Sequence, residues 1–242
     1  MIFAILAAGE GSRLAQEGIE VPKPLVKING LPMIERLVEI FMKADAEKIV
    51  IINNSIHPET RKHIEFLQKN GLPIELVVKT TPSSMHSFYE LMPFIGNGKF
   101  CLTTVDTIFK EEEFLKFIDL FKSSKDDGIM AATDFVDDEK PLYIATDEND
   151  YITGFYDSLK QFELDSNKSK NIICQLISGG IYCLDNKVFD ILDKCVKSGM
   201  SRMRNFQRQL IYNGLKLKAY KFSKILDVDH AQDIVKAERF LK

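Results

Sequence analysis

The 242-residue sequence predicts an α/β fold with a mixed, mostly parallel central sheet flanked by helices. Three observations carry that prediction. Short β-rich runs alternate with amphipathic stretches through the first half, the pattern of βαβ units on a parallel sheet. The fourth such run ends in an acidic residue, Asp106. An apolar fraction of 45% is ample for a substantial buried core. No internal repeat or low-complexity linker divides the chain. The expectation is therefore one domain over 1–242, whose halves, about 1–106 and 107–242, share a sheet.

Taken in order, Ile2 to Leu6 reads as the first strand. Met33 to Lys43 reads as a helix because Met33, Ile34, Leu37, Val38, Ile40 and Phe41 fall on one face and Pro32 suits its first turn. Ile49 to Ile52 is a second strand, and Pro58 to Gln68 is a polar but periodic helix stopped by Gly71. Ile74 to Val78 reads as a third strand buried on both sides, followed by a helix from Ser84 to Phe94. Phe100 to Val105 is the fourth strand, and Asp106 falls at its carboxyl end, where open α/β sheets place ligand-binding groups.

The second half is less regular. Ile129 to Phe135, Leu142 to Thr146 and Tyr151 to Tyr156 read as strands, and Lys160 to Lys170 as a polar mobile loop or flap. Ile172 to Leu184 is extended, Val188 to Val196 and Met203 to Tyr212 are helical, Leu215 to Phe222 is a strand, and Ala231 to Leu241 closes as a helix.

Charge and cysteine usage narrow the function. With 32 basic and 35 acidic residues and a net charge of -3, there is no electrostatic footprint for a nucleic-acid backbone. Cys101, Cys174, Cys183 and Cys195 form no CxxC pair and have no His at zinc spacing, so reduced, buried thiols are expected. The apolar opening from Ile2 to Ala8 lacks a basic flank and is too short to span a bilayer. A cytoplasmic protein is expected, with no membrane partner.

The segment Leu6-Ala7-Ala8-Gly9-Glu10-Gly11-Ser12-Arg13-Leu14 follows a strand, and its glycines allow backbone amides to approach a polyphosphate. The same pattern also fits a tight turn. A Rossmann fingerprint would need a small residue at Leu14 and an acid where Asn53 and Asn54 stand, and a P-loop would need Gly-Lys-Ser/Thr, which is absent. Arg13 is followed at short range by Pro22-Lys23-Pro24-Leu25-Val26-Lys27-Ile28. Two cations beside such a loop suit a triphosphate, because negative charge grows on a leaving pyrophosphate; both also fit ordinary solvated charges.

LAAGEGSRL followed by PKPLVKING closely resembles the signature of the sugar-nucleotide pyrophosphorylases and related small cytidylyltransferases, a nucleotidyltransferase superfamily. TTVDTIF, SGGIYCLD and LDVDHAQDI look like its metal-Asp strand end, acceptor-pocket strand and carboxy-terminal metal motif. The TPSSMHS segment is most similar to the choline-phosphate type. The resemblance implies a Rossmann-like (GT-A-like) domain in which Leu6, Ala7, Ala8, Gly9, Gly11, Ser12 and Ser84 contact the nucleotide. It places Arg13 on the leaving phosphates, Lys23 on the α-phosphate, and Gly179 and Gly180 at the acceptor. A bulge that bends the sheet explains the glycine pair equally well.

Asp106 at the end of an apolar strand calls for a cation, and Mg²⁺ is the expected cofactor. Asp227 and Asp229, one residue apart on an extended stretch, are both candidates for the second ligand; Asp229 could instead cap the last helix. Thr133, Asp134 and Lys79 are further pocket residues by position, while Arg202 and Arg204 suit phosphate or solvent. His86 suits a hydrogen bond at a helix start or a contact with the nucleotide.

The expected reaction joins a nucleoside triphosphate to a phosphorylated small molecule, a sugar 1-phosphate or phosphocholine-like compound, and releases pyrophosphate, in a possible homo-oligomer. The rivals are a nucleotide-sensing regulatory domain and a glycosyltransferase using a nucleotide sugar. Val105-Asp106-Thr107 lacks the second acid that the latter would want.

Overall fold

The structure, a computed structural model, describes residues 1–137, 139–165 and 171–242. Strand β1 (Ile2–Ala7) leads through the glycine loop into the short helix α1 (Ser12–Gln16). A small hairpin, β2 (Lys27–Ile28) and β3 (Leu31–Pro32), precedes α2 (Met33–Lys43). The βαβ rhythm continues with β4 (Lys48–Asn53), α3 (Pro58–Lys69), β5 (Ile74–Val78), α4 (Ser84–Ile95) and β6 (Lys99–Thr104). A two-residue strand, β7 (Thr107–Ile108), leads to α5 (Glu111–Ser123).

The second half comprises β8 (Gly128–Thr133), β9 (Tyr143–Thr146), β10 (Ile152–Tyr156), α6 (Leu159–Leu164) and the long β11 (Ile173–Asp185). Helices α7 (Val188–Lys197) and α8 (Met203–Tyr212), strands β12 (Leu217–Lys221) and β13 (Leu226–Asp227), and helix α9 (Ala231–Phe240) complete it.

One nine-stranded sheet runs through both halves of the described residues, in the order β10-β9-β11-β6-β1-β4-β5, with β8 and β12 joined through β11. β6, β1, β4 and β5 run parallel to one another. β11 is the seam: it runs antiparallel to β6, β8 and β9, so it stitches the parallel block to the irregular half. β13 pairs with β7, and the Val228 amide donates to the Asp106 carbonyl at 3.1 Å, bringing the two ends of the chain's acidic motifs together.

Strand alternation divides the core. Ala4 and Leu6 of β1 face a layer built with Phe88, Phe100 and Phe206, whereas Phe3, Ile5 and Ala7 face the opposite layer of Phe41, Phe114 and Phe117. Phe3 stacks on Phe41 at 4.6 Å and lies 6.3 Å from Phe114, tying α2 and α5 to the sheet.

Three sequence expectations need correction. α5 is absent from the sequence reading, although Phe114, Phe117, Ile118 and Phe121 give it a buried face. β5 is an edge strand: Ile74 is buried but Val78 is exposed, since only β4 covers its flank. The expected flap begins with a helix, α6, capped by the Ser158 hydroxyl, which accepts from the Gln161 amide at 3.1 Å; residues 166–170 lie outside the described part. The four cysteines are buried.

Candidate active site

The glycine loop and the PKPL element meet because Gly11 permits it. Gly11 takes φ +66, and a β-carbon there would lie 2.9 Å from Lys23 Cβ. Only a residue without a side chain lets the loop lie against the 3-10 turn Lys23–Leu25. The loop is fixed from beneath by Asn54, which is fully buried at the end of β4: its amide donates to the Ala8 carbonyl at 2.9 Å and its oxygen accepts from the Thr80 hydroxyl at 2.6 Å. Asn54 escaped the sequence reading as a site residue; the available signal was an amide where a dinucleotide fold has an acid.

Four charged side chains converge beside this loop. The Lys23 ammonium contacts Asp106 and lies 2.6 Å from Asp229 Oδ1, while Arg13 Nη1 lies 2.9 Å from Asp229 Oδ2. Lys23 is largely buried, with 11% of its side chain exposed against 47% for Arg13, so its pairing is the stronger of the two. Burial opposes the Lys23 charge, but the carboxylates of Asp106 and Asp229 outweigh it and hold the ammonium above its usual range. Burial likewise opposes the Asp106 charge, but attraction to Lys23 and hydrogen bonds from Lys23 and Thr104 hold this carboxyl below the usual range.

Asp229 does not cap the last helix. That helix start is satisfied by Asp233, whose carboxylate accepts from the Asp229 amide at 3.2 Å and the His230 amide at 2.9 Å, and by Glu17, which accepts from the Ala231 amide at 2.6 Å. His230 Nδ1 pairs with Glu17 at 2.6 Å; that bond lifts the imidazole above its ordinary value and draws the Glu17 carboxyl down. The Asp229 carboxylate is thereby left to Arg13 and Lys23.

These groups line a cleft of about 570 Å³ together with Leu6, Ala8, Gly9, Gly11, Ser12, Thr81, Ser83, Ser84 and Ser87. Ala7 does not join them: strand alternation turns it into the core, where it is 1% exposed. His86 Nδ1 lies 2.9 Å from the Ser83 hydroxyl at the start of α4.

Two further cavities adjoin the cleft. One, of about 440 Å³, shares Ser84, Thr104 and Asp106 with it and is also lined by Asp227, Gly180, Tyr182, Arg202, Arg204 and Gln207. The other, of about 140 Å³, is lined by Thr133, Gly179, Asp227 and Asp229 among others. The glycine pair lies in the register shift of β11 between Ser178 and Tyr182. A β-carbon at Gly179 would come within 2.2 Å of Ile225 Cδ1, and one at Gly180, whose φ is +71, within 2.9 Å of Thr107 Oγ1. Gly180 is thus favoured by its backbone conformation, whereas a side chain at Gly179 would have to push the tip of Ile225 aside; both glycines also line cavities. Lys79 and Asp134 stand apart from these cavities, paired with Glu90 at 2.7 Å and Lys221 at 2.6 Å.

No group of three or more His, Cys, Asp or Glu among the described residues is placed to hold a metal ion. Asp106 and Asp229 nevertheless meet on one ammonium, so their oxygens are close enough to share a cation. Two hard carboxylates, with phosphate and water completing the shell, fit the preferences of Mg²⁺. Among the described residues no helix is long and apolar enough to cross a membrane.

Comparison with known proteins bears on the family and the fold. The family model described as nucleotidyl transferase matches residues 3–242. The bifunctional protein GlmU of Methanococcus maripaludis is 29% identical over 243 residues, covering 98% of this chain and 54% of that protein. The mannose-1-phosphate guanyltransferase of Saccharomyces cerevisiae is 27% identical over 197 residues, covering 78% of this chain and 51% of that protein. The chain therefore spans about half the length of these curated relatives. Among solved structures, the inositol-1-phosphate CTP transferase of T. maritima superposes with a TM-score of 0.74 at 17% identity, covering 100% of this chain and 97% of that one. A Bacillus anthracis structure with sucrose, described as a glucose-1-phosphate thymidylyltransferase, gives a TM-score of 0.80 at 20% identity, covering 99% and 95%. Those two likenesses establish a shared fold.

Proposed function

This chain belongs to the nucleotidyl transferase family, and on that premise we propose that it transfers a nucleoside monophosphate from a nucleoside triphosphate to a phosphorylated small molecule, releasing pyrophosphate. One observation carries the reading: Arg13, Lys23, Asp106 and Asp229 converge on a single cleft beside a glycine loop. The name of the yeast relative, a mannose-1-phosphate guanyltransferase, supports a phosphosugar as acceptor.

The acceptor's phosphate is an anion at neutral pH, so its attack on the α-phosphorus needs no general base. Alignment and charge neutralisation remain for the protein. The backbone of Ala8, Gly9 and Gly11, which line the cleft, positions the nucleotide. Lys23 holds equatorial oxygens of the α-phosphate as charge builds there, and Arg13, at the open side of the cleft, favours the departing pyrophosphate. Asp106 and Asp229 would hold Mg²⁺, which supplies further neutralisation between the phosphates. Asp229 is the favoured second ligand because it shares the Lys23 ammonium with Asp106, whereas Asp227 accepts from the Thr107 hydroxyl at 3.4 Å on the acceptor side.

The test is pyrophosphate release with Mg²⁺, each of the four ribonucleoside triphosphates and dTTP, and a panel of phosphosugars and phosphocholine. At least one pair is expected to turn over, and Lys23→Ala or Asp106→Ala to lower kcat by roughly 10²-fold or more with unchanged circular dichroism. Absence of release with every pair would favour a nucleotide-sensing domain.

A further inference from the structure

The short helix α1 holds the segment that carries Asp229 at two places one helical turn apart. Arg13 Nη1 lies 2.9 Å from Asp229 Oδ2. Four residues on, at the end of the helix, Glu17 turns both of its oxygens to the next two residues of that segment: Oε1 lies 2.6 Å from His230 Nδ1, and Oε2 accepts from the Ala231 amide at 2.6 Å. Leu14, between the two grips, is 1% exposed and belongs to the same apolar cluster as Val228 and Ala237. Glu17 and Ala231 are 214 residues apart, so the contact is a tertiary clamp. The local cap comes from Asp233, which takes the Asp229 and His230 amides.

The contacts of this segment differ in what the proposed reaction does to them. Arg13 and Lys23 are the groups offered to phosphate, so both ion pairs of Asp229 are given up as a triphosphate binds. A carboxylate released in that way keeps its direction only if its backbone is held, and a metal ion binds tightest to ligands that are oriented beforehand. Glu17 is not reassigned. It lines none of the three cavities, and neither His230 nor Ala231 lines the nucleotide cleft. Asp233 and Glu17 together fix three consecutive amides, those of residues 229 to 231, and of these two acceptors only Glu17 ties them to the glycine-loop side of the cleft.

We propose that Glu17 is a positioning residue: it clamps the segment after β13 to α1, so that the Asp229 carboxylate stays beside Asp106 for a divalent cation while Arg13 and Lys23 turn to phosphate. The proposal rests on the transferase reading and on Asp229 as a metal ligand. A clamp that served stability alone would lower the melting temperature of a variant and leave its metal dependence untouched.

The test uses the wild type, Glu17→Ala, Glu17→Gln, Asp229→Asn and the double variant Glu17→Ala/Asp229→Asn. Binding of the α,β-methylene analogue of the preferred triphosphate is measured by titration calorimetry across a range of Mg²⁺ concentrations, beside thermal melting and pyrophosphate release. Glu17→Ala is expected to raise the Mg²⁺ concentration for half-maximal binding by about tenfold or more, with analogue binding in the absence of metal unchanged and excess Mg²⁺ restoring kcat towards wild type. Glu17→Gln, which keeps one oxygen, should fall between the two, and it carries the comparison should Glu17→Ala fail to fold. In the Asp229→Asn background, loss of Glu17 should add nothing to the Mg²⁺ requirement, because the two act as one unit. A Mg²⁺ midpoint unmoved in both Glu17 variants, an equal weakening with and without metal, or the same further loss in the Asp229→Asn background would each overturn the proposal, as would wild-type binding that does not depend on Mg²⁺. A shifted Mg²⁺ midpoint with no pyrophosphate release from any variant or from wild type would sustain the role of Glu17 while removing the transferase reading.

Discussion

Lys23 is the residue on which the site's charge balance turns, and Gly11 is what lets it stand there. The Gly11 Cα approaches the Lys23 side chain so closely that any β-carbon would displace it, and φ +66 adds a backbone penalty. Gly11→Ala is therefore expected to lower stability by about 1–3 kcal/mol and to lower turnover further than that loss explains, measured by urea unfolding alongside pyrophosphate release. Unchanged turnover would show that the loop tolerates a shifted lysine. Much of this site was legible residue by residue. Arg13, Lys23 and Asp106 stand in short local motifs whose chemistry survives without coordinates. That Asp229 rather than Asp227 is left to pair with Lys23 was not legible, because it depends on where the chain turns after β13 and on Asp233 and Glu17 taking over the helix cap. Ala7 was misplaced for a simpler reason: a strand sends alternate side chains to opposite faces, and Leu6 and Ala8 took the cleft side.

At the scale of elements, α5 and the start of β8 show how much depends on single contacts. Phe114 of α5 stacks on Phe109 at 4.9 Å and on Phe41 at 5.5 Å, so Phe114→Ala is expected to cost about 3–5 kcal/mol in chemical denaturation. This helix stayed hidden in the sequence because its first turn, Glu111 to Glu113, is wholly acidic and masks the Phe spacing behind it. Asp127 ties three elements: its carboxylate accepts from the Lys216 amide at 3.0 Å and from Lys187 Nζ at 2.9 Å, and its carbonyl accepts from the Asp185 amide at 3.1 Å. Burial alone would raise this carboxyl, but those bonds hold it below its usual range. A depressed folded value means the stabilisation is complete above the unfolded value of about 3.9 and is lost as pH falls through the folded one. Asp127→Asn should therefore unfold at lower denaturant than wild type at pH 7, with the difference shrinking below about pH 4; a gap that is constant with pH would show that the carboxylate charge contributes nothing.

For the whole molecule, the parallel block from β5 to β6 was legible because each strand and helix has its own period, but the order of the sheet beyond β6 was not. β11 enters antiparallel between β6 and β8 and carries a register shift at Gly179 and Gly180, and no local pattern announces which strand a long extended segment will join. That insertion creates the cavities beyond Asp106, so the acceptor side was the least readable part. The assembled site is internally neutralised: the cations proposed for phosphate, Arg13 and Lys23, are held by the carboxylates proposed for the metal, Asp106 and Asp229. A nucleotide alone must displace Asp106 and Asp229 from Lys23, and a metal alone must displace Lys23 from them, so the two should bind as a unit. The most direct measurement is calorimetric titration of the wild type and Lys23→Ala with α,β-methylene analogues of the four ribonucleoside triphosphates, with and without Mg²⁺. At least one analogue is expected to bind wild type tenfold or more tightly with Mg²⁺, a difference of about 1.4 kcal/mol, and Lys23→Ala to lose that binding while melting as a folded protein. Equal affinity with and without the metal, undiminished in Lys23→Ala, would contradict the account.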